Sequence, residues 1–141
     1  MQEERTKLSV WIETSIRDFV KSSENSLGKQ EHEPAWAEPL VGFSRGDDPF
    51  YVQFKIDIGS FYWTPLEIFE KTFPGVKINP AELTVISWIL PQTEKIKQDN
   101  RKETTHPSKR WARSRKLGEE FNMKLRAQIV TPACAWGVTG R

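Results

Sequence analysis

The segment Leu83-Thr84-Val85-Ile86-Ser87-Trp88-Ile89-Leu90 does most to decide the fold of this chain. Its residues are β-branched or apolar almost throughout, and Pro91 follows them directly. A short uncharged run of this kind favours a strand that is covered on both faces, in the middle of a sheet. The sequence therefore predicts a β-sheet built around this segment.

Two segments before it have weaker patterns. Residues 51–58 alternate between apolar and polar, which favours a second strand, although the same residues also satisfy a helical spacing and leave a helix open. Residues 31–50 contain three prolines and two glycines among isolated apolar residues, which is typical of an ordered surface loop. We expect Trp36 of this loop to dock back onto the domain.

Helical patterns occupy three other segments. Apolar residues recur every three or four positions between about Glu4 and Lys21 and again between Arg110 and Val130, where Gly118 breaks the pattern at a cost of about 1 kcal/mol relative to alanine. Between them, Thr64-Pro65-Leu66-Glu67 has the form of a capping box and opens a helix that runs to about Thr72.

The remaining stretches carry no period. Residues 92–107 are polar and charged and are predicted to be a mobile loop, and residues 131–141 are predicted to be an irregular tail. Together the patterns predict one domain over residues 1–141, of the α+β (or α/β) class. It would hold a small mixed sheet of two to four strands packed with three main helices. Because such a sheet has few strands for a chain of this length, the domain can also be an incomplete one.

Composition excludes several classes of protein. The chain has 141 residues, with six Trp and eight Phe, which is more aromatic area than a disordered chain usually carries. Its longest apolar runs are far shorter than the roughly 20 residues that cross a membrane, so we expect no membrane association. The charged amino terminus lacks the apolar segment of a secretory signal, which predicts a cytoplasmic protein. One cysteine, Cys134, provides neither a disulfide nor a cysteine-ligated metal cluster.

Charge is concentrated in one segment. The net charge is +2, but residues 95–116 hold nine basic and two acidic side chains. Such a segment is either a solvated face or a site for anions, so an RNA-binding or tRNA-binding module is one reading of the function. Arg110 and Arg113 lie one turn apart beside Trp111, at the start of a predicted helix, where phosphate is favoured.

Standard catalytic motifs are absent from the sequence, and only two weaker candidates stand outside the basic segment. Asp47 and Asp48 follow Arg45-Gly46 and can hold a cation or move a proton, or can simply form a turn. Phe61-Tyr62-Trp63 can stack on a flat ligand, or can anchor the helix that follows.

One family resembles this chain between Thr64 and Val130. The segments Phe61–Phe69 and Glu82–Thr93, the motif Arg110-Trp111-Ala112 and the motif Gly118-Glu119-Glu120-Phe121-Asn122 are similar to the amino-terminal half of iron–sulfur proteins related to epoxyqueuosine reductase. The resemblance implies an α/β amino-terminal domain that helps to hold cobalamin, in an enzyme that reduces the queuosine precursor of tRNA.

The chain departs from this family in lacking the cysteine-rich segment that holds two [4Fe-4S] clusters, and in ending with residues 131–141 where a further strand is expected. We therefore expect a truncated or stand-alone reductase-like domain that has no cluster and no redox activity by itself. It would bind a corrinoid or another anionic cofactor. The residues expected to contact that cofactor are Arg110, Trp111, Arg113, Glu120, Asn122, Asp47 and Asp48.

The domain type also bears on partners. A cluster-bearing partner chain would supply what this chain lacks, and an unfinished sheet can be completed by a partner or by a second copy. A structural or interaction subunit is therefore a third reading, beside the cofactor-binding domain and the tRNA-binding module.

Overall fold

The computed structural model describes residues 2–28 and 33–135. Within them the chain is a small mixed α+β fold, with five α-helices and one antiparallel sheet of two strands, and it confirms the predicted fold class. In chain order the elements are α1 (Gln2–Lys21), β1 (Leu40–Arg45), α2 (Pro49–Ile58), α3 (Pro65–Thr72), a 3-10 turn (Pro80–Glu82), β2 (Thr84–Ile89), α4 (Glu94–Lys102) and α5 (Lys109–Ala135).

The contacts of the chain divide it into two compact units, where the sequence predicts one domain. Unit 1 consists of the described residues up to Leu40 together with those from Ile89 onward, and unit 2 is Val41–Trp88. Unit 1 contains α1, α4 and α5. Unit 2 contains α2, α3, the 3-10 turn and nearly all of the sheet, and each unit is described by itself below.

The core of unit 1 is formed by two helical stripes. Ile12, Ile16 and Val20 of α1 are buried at intervals of four residues, and α5 buries an equivalent stripe. The α5 stripe consists of Phe121, Leu125 and Ile129. Residues four apart lie on the same face of a helix, so the two helices pack stripe against stripe, as their sequence patterns predict. Each fully buried side chain of this size contributes roughly 1.5–3 kcal/mol.

A second apolar cluster in unit 1 explains where Trp36 packs and why a glycine stands at position 118. Leu27, Ala35 and Ile96 are buried, and Trp36 and Trp111 pack against them. A Cβ at position 118 would lie 2.9 Å from the Trp36 ring, which therefore uses the space that the glycine leaves. The prediction that Trp36 docks back onto the domain is confirmed, and the break in the α5 pattern makes room for it.

Unit 2 has no comparable core. None of the apolar side chains between Val41 and Trp88 is buried, and Gly46 is the one buried residue in this range, all of which is described. Its α2 and α3 helices contain no buried residue. The unit is thus a two-stranded sheet with two short helices whose apolar side chains remain in contact with solvent.

Two predictions about unit 2 are wrong. The segment 51–58 is helical because Asp48 caps it, accepting a hydrogen bond from the Phe50 N–H at 3.0 Å, and Pro49 occupies the first turn. The region predicted as a loop contains β1, whose pairing partner lies some forty residues away in sequence and leaves no local signal. The strand predicted at 83–90 is confirmed as β2, but it has one neighbouring strand, and Thr84, Ser87 and Ile89 are exposed.

Two predictions about unit 1 are also wrong. The segment 92–107 is not irregular throughout, because α4 occupies most of it, with Ile96 fully buried and Glu94 paired with Arg101 at 3.0 Å. A single buried residue in a charged helix gives too weak a period to detect. The predicted tail is helical up to Ala135 as the end of α5, and its residues 136–141 lie outside the described residues.

Candidate functional site

Four basic side chains of the basic segment in unit 1 form internal ion pairs. Arg110 at the start of α5 donates from Nε to both carboxylate oxygens of Glu33, each at 3.1 Å, and it also pairs with Asp99 of α4. Lys95 reaches the same Glu33 at 3.1 Å. Burial raises the pKa of Glu33, but the hydrogen bonds from Arg110 and Lys95 outweigh burial and hold that pKa below its usual value. Arg110 therefore ties two distant segments to α5.

Other cations of this segment also have partners. Lys97 and Arg101 pair with Glu94, and the Arg115 guanidinium lies 5.5 Å from the centre of the Trp111 ring. Within the described residues, three lysines of the segment take part in no ion pair; these are Lys102, Lys109 and Lys116. At least four of the nine cations are thus held in ion pairs with three carboxylates, and the segment keeps an excess of positive charge.

The start of α5 is closed by its own residues. Ser108 is buried, its Oγ accepts from the Trp111 N–H at 3.2 Å, and its backbone N–H donates to Asn100 Oδ1 at 3.0 Å. Ser108 therefore caps the start of α5. One of the N–H groups that a phosphate would use at this helix terminus is therefore already satisfied.

The five predicted cofactor residues of α5 do not converge. Arg110 and Asn122 are twelve positions apart, which is about 18 Å along a helix. Trp111 is half-buried against the second cluster, whereas Glu120 is exposed and pairs with Lys124 at 3.3 Å. Arg113 is exposed, and Asn122 is half-buried. The structure distributes these residues along the helix and on more than one of its faces.

Asp47 and Asp48 lie in unit 2 and form a turn. Asp47 accepts two hydrogen bonds from Arg45, at 2.9 and 2.8 Å, and this pairing lowers its pKa. Asp48 caps α2. Among the described residues there is no group of three or more His, Cys, Asp or Glu side chains that could hold a metal ion.

Unit 2 also contains an apolar groove that the sequence reasoning did not assemble. Its volume is about 420 Å³, and five of its eleven lining residues are aromatic. They include Tyr51, Tyr62, Trp63, Phe69 and Phe73, together with Leu83, Thr84 and Val85 at the start of β2. Phe69 of α3 and Phe73, which caps the end of α3, are four positions apart, with ring centres 4.9 Å from each other. The four-residue spacing of these two phenylalanines is the local sequence signal for the groove. It does not predict the whole groove, because the strand that completes it is distant in sequence.

The aromatic segment before α3 is not buried as a helix anchor. Phe61 is 75% exposed and Trp63 is 50% exposed. Tyr62 makes an edge contact with Phe54, with ring centres 5.9 Å apart, and Lys71 Nζ lies 4.4 Å from the Trp63 ring centre. Tyr62 and Trp63 therefore contact the two helices of unit 2, while Phe61 and Trp63 keep exposed ring surface that can stack on a flat ligand.

A local hydrogen-bond network holds α3 beside this groove. Thr64 Oγ1 accepts from the Glu67 N–H at 3.3 Å, and the Glu67 carboxylate accepts from the Thr64 N–H at 2.8 Å, which confirms the predicted capping box. Glu67 also pairs with Lys55 of α2. The bond from Lys55 and the bond from the Thr64 backbone lower the pKa of Glu67 to about 2.

Comparison with known proteins adds no relative: the chain matches no protein-family model, no curated protein and no solved structure. Within the described residues, none of the helices has the length and apolar character needed to cross a membrane.

Proposed function

We propose that this chain is a binding subunit whose unit 2 is completed by another polypeptide. The resemblance to the amino-terminal domain of iron–sulfur proteins related to epoxyqueuosine reductase supports the same role, because it implies a cluster-bearing partner chain. In this proposal the chain contributes binding and positioning, and the redox centre belongs to the partner.

The observation that carries the proposal is the uneven distribution of buried apolar residues. All nine hydrophobic residues that are buried in the described part of the chain belong to unit 1. Unit 2 instead exposes ten large apolar side chains. These are Phe43, Phe50, Val52, Phe54, Ile56, Ile58, Phe61, Trp63, Ile68 and Phe73.

Exposure on this scale favours a protein partner over a small ligand. Monomeric proteins rarely expose contiguous apolar patches larger than a few hundred Å², and larger patches mark interaction surfaces. The exposed residues of unit 2 come from β1, α2, the segment between the helices, α3 and the residue that caps its end. Association that removes them from water gains roughly 25 cal/mol for each Å² of apolar area.

Amide hydrogen exchange tests the proposal on the purified chain, at concentrations where sedimentation shows a monomer. We expect the amides of α1 and α5 to be protected and those of residues 41–88 to exchange much faster, because unit 2 has little buried area to resist opening. Equal protection of both units in the monomer would contradict the proposal.

A matched pair of substitutions tests whether the exposed apolar side chains of unit 2 form the binding surface. Ile56→Glu alters a side chain of unit 2 that is 71% exposed, and Val10→Glu alters one of unit 1 that is 59% exposed. We expect Ile56→Glu to reduce binding of a fluorescent hydrophobic dye by more than Val10→Glu, with little effect of either on the helical circular dichroism signal. Equal dye binding by the two variants would contradict the proposal that the apolar binding surface lies on unit 2.

Corrinoid binding is a second candidate, favoured by the aromatic groove and the exposed Trp63 ring. When bound, cobalamin supplies reductive chemistry at its cobalt; the side chains of this chain would contribute only apolar and stacking contact to the flat ring. Titration of the purified chain with cobalamin should perturb the cobalamin absorbance spectrum, and Trp63→Ala should weaken the change while Val10→Ala leaves it intact. An unchanged spectrum up to millimolar cobalamin would exclude this candidate.

The tRNA-binding reading stays a prediction. Lys109, Arg113 and Lys116 are exposed at positions i, i+4 and i+7 of α5, and so share a face of that helix. Binding through such a face should weaken steeply with salt. Gel retardation of tRNA at low salt, lost in Lys109→Gln with Lys116→Gln, would support it, and absence of retardation would exclude it.

A further inference from the structure

The apolar groove of unit 2 combines aromatic rings with an uncharged lining. Its five rings belong to Tyr51, Tyr62, Trp63, Phe69 and Phe73, and none of its eleven lining residues carries a formal charge. Burying an unpaired charge against such a lining is costly, so the groove disfavours a segment that inserts a charged side chain. The part of a partner that enters the groove is therefore uncharged.

Two of the aromatic side chains carry hydrogen-bond donors that are still available. Neither the Tyr62 hydroxyl nor the Trp63 indole N–H bonds to any residue that the structure describes. The Tyr51 hydroxyl, by contrast, is bonded to Ser44 Oγ at 2.6 Å. A partner that covers the groove removes water from the two available donors, and a buried donor without an acceptor is destabilising. The partner must therefore supply acceptors.

The need for acceptors distinguishes between conformations of the partner. An α-helix bonds its own carbonyls internally and would leave both donors unpaired. A polyproline II segment has no internal hydrogen bonds, so its carbonyls are available as acceptors. Its prolines also bring no N–H, which suits a lining that contains no carboxylate to accept one. A β-strand would bring N–H donors along with its carbonyls.

We propose that this groove binds a proline-rich segment of a partner polypeptide in the polyproline II conformation. Carbonyls of the segment accept hydrogen bonds from Tyr62 Oη and Trp63 Nε1, and its proline rings pack on the aromatic side chains, including the half-exposed Trp63 ring. Aromatic-lined grooves recur as sites for such segments, which are preformed and lose little entropy on binding. This inference rests on the proposed function, since it names the class of polypeptide that covers unit 2.

Decaproline is the probe that tests the groove on the full chain. We expect it to shift the NMR signal of the Trp63 indole N–H saturably, because that N–H gains an acceptor, and the signal is assigned by its absence in Trp63→Phe. An alanine-rich peptide of about 20 residues, long enough to be helical, is the control for conformation. No shift up to millimolar decaproline, or an equal response to the helical peptide, would overturn the inference.

Two conservative variants test the donors themselves. Trp63→Phe and Tyr62→Phe each remove one donor and keep an aromatic ring. Each should raise the dissociation constant for decaproline by about two- to tenfold, the range for one neutral hydrogen bond. Phe61→Leu is the matched control, because Phe61 is 75% exposed but does not line the groove, and it should leave the dissociation constant unchanged.

The amide signals of residues 41–88 report binding in every variant, and circular dichroism checks that each variant keeps its helices. Wild-type affinity in both donor variants would overturn the inference, as would a loss in Phe61→Leu as large as theirs.

The outcomes also separate this inference from the proposed function. If decaproline does not bind and the unit 2 amides of the monomer exchange rapidly, the proline-rich partner is overturned and completion by another polypeptide stands. If decaproline does not bind and both units are equally protected, both proposals are overturned.

Discussion

Unit 1 and unit 2 are both rich in apolar residues, but they differ in whether those residues are buried. Unit 1 buries nine hydrophobic residues in its described part, and unit 2 buries none. In unit 1, long helices with matched stripes face each other, and in unit 2 a two-stranded sheet and helices of ten and eight residues provide no second layer. The difference shows that apolar content alone makes no core, because two packed layers are needed to remove it from water.

The largest expected effect is a truncation in the unit 1 core. Leu125 is fully buried on α5, and Val130, on the same helix, is 59% exposed. We expect Leu125→Ala to lower the free energy of unfolding by about 2–5 kcal/mol, through lost burial and the cavity left behind. Val130→Ala should change it by less than about 0.5 kcal/mol. Urea unfolding followed by circular dichroism measures both, and equal effects would mean that the core does not hold unit 1 together.

The next effect concerns the contact between α5 and Trp36. Helix propensity alone predicts that Gly118→Ala stabilises the protein by about 1 kcal/mol. Because the new Cβ would lie 2.9 Å from a packed ring, we expect destabilisation by about 1–3 kcal/mol instead. In a Trp36→Leu background the same substitution should be neutral or stabilising, and this double-mutant cycle isolates the clash. A stabilised single variant would show that the ring moves aside freely.

A smaller effect, confined to unit 2, comes from two glycines in or beside β1. A Cβ at Gly46 would lie 2.8 Å from the Pro80 carbonyl oxygen and 2.7 Å from Leu83 Cβ, whereas a Cβ at Gly42 meets nothing within 4 Å. Gly46→Ala should therefore accelerate amide exchange in residues 41–88, with a local cost of about 1 kcal/mol, and should leave α1 and α5 unchanged. Gly42→Ala is the control that should change neither unit. Loss of protection in α1 or α5 on Gly46→Ala would show that the two units open together.

The smallest effect is electrostatic and depends on pH. The pKa of Glu67 is lowered to about 2 from 4.5, so its bonds to Lys55 and Thr64 stabilise α3 fully above about pH 4.5. That contribution is lost progressively as the pH falls from about 4.5 towards 2. An NMR titration should place the Glu67 midpoint near 2, and Lys55→Met should move it upward. A midpoint near 4.5 in the wild type would contradict the pairing.

Sequence patterns found the features that depend on near neighbours in the chain. The stripes of α1 and α5, the capping box of Thr64 and Glu67, and the strand β2 were all predicted, because each is encoded within a few residues or one helical period. The pattern of α4 was missed because only Ile96 of that helix is buried. The strand β1 was missed because Gly42 and the polar Ser44 interrupt its apolar run.

The candidate sites depended on contacts that no local pattern encodes. Arg110 was expected at an anion site, and the structure pairs it with Glu33, which lies 77 positions away in sequence. The aromatic groove forms where α3 meets the start of β2, so its residues share no motif. The sequence by itself determined the fold class and the presence of the strand β2. Only the tertiary structure decided which charges are compensated and which apolar faces stay uncovered, because both depend on what distant segments bring alongside.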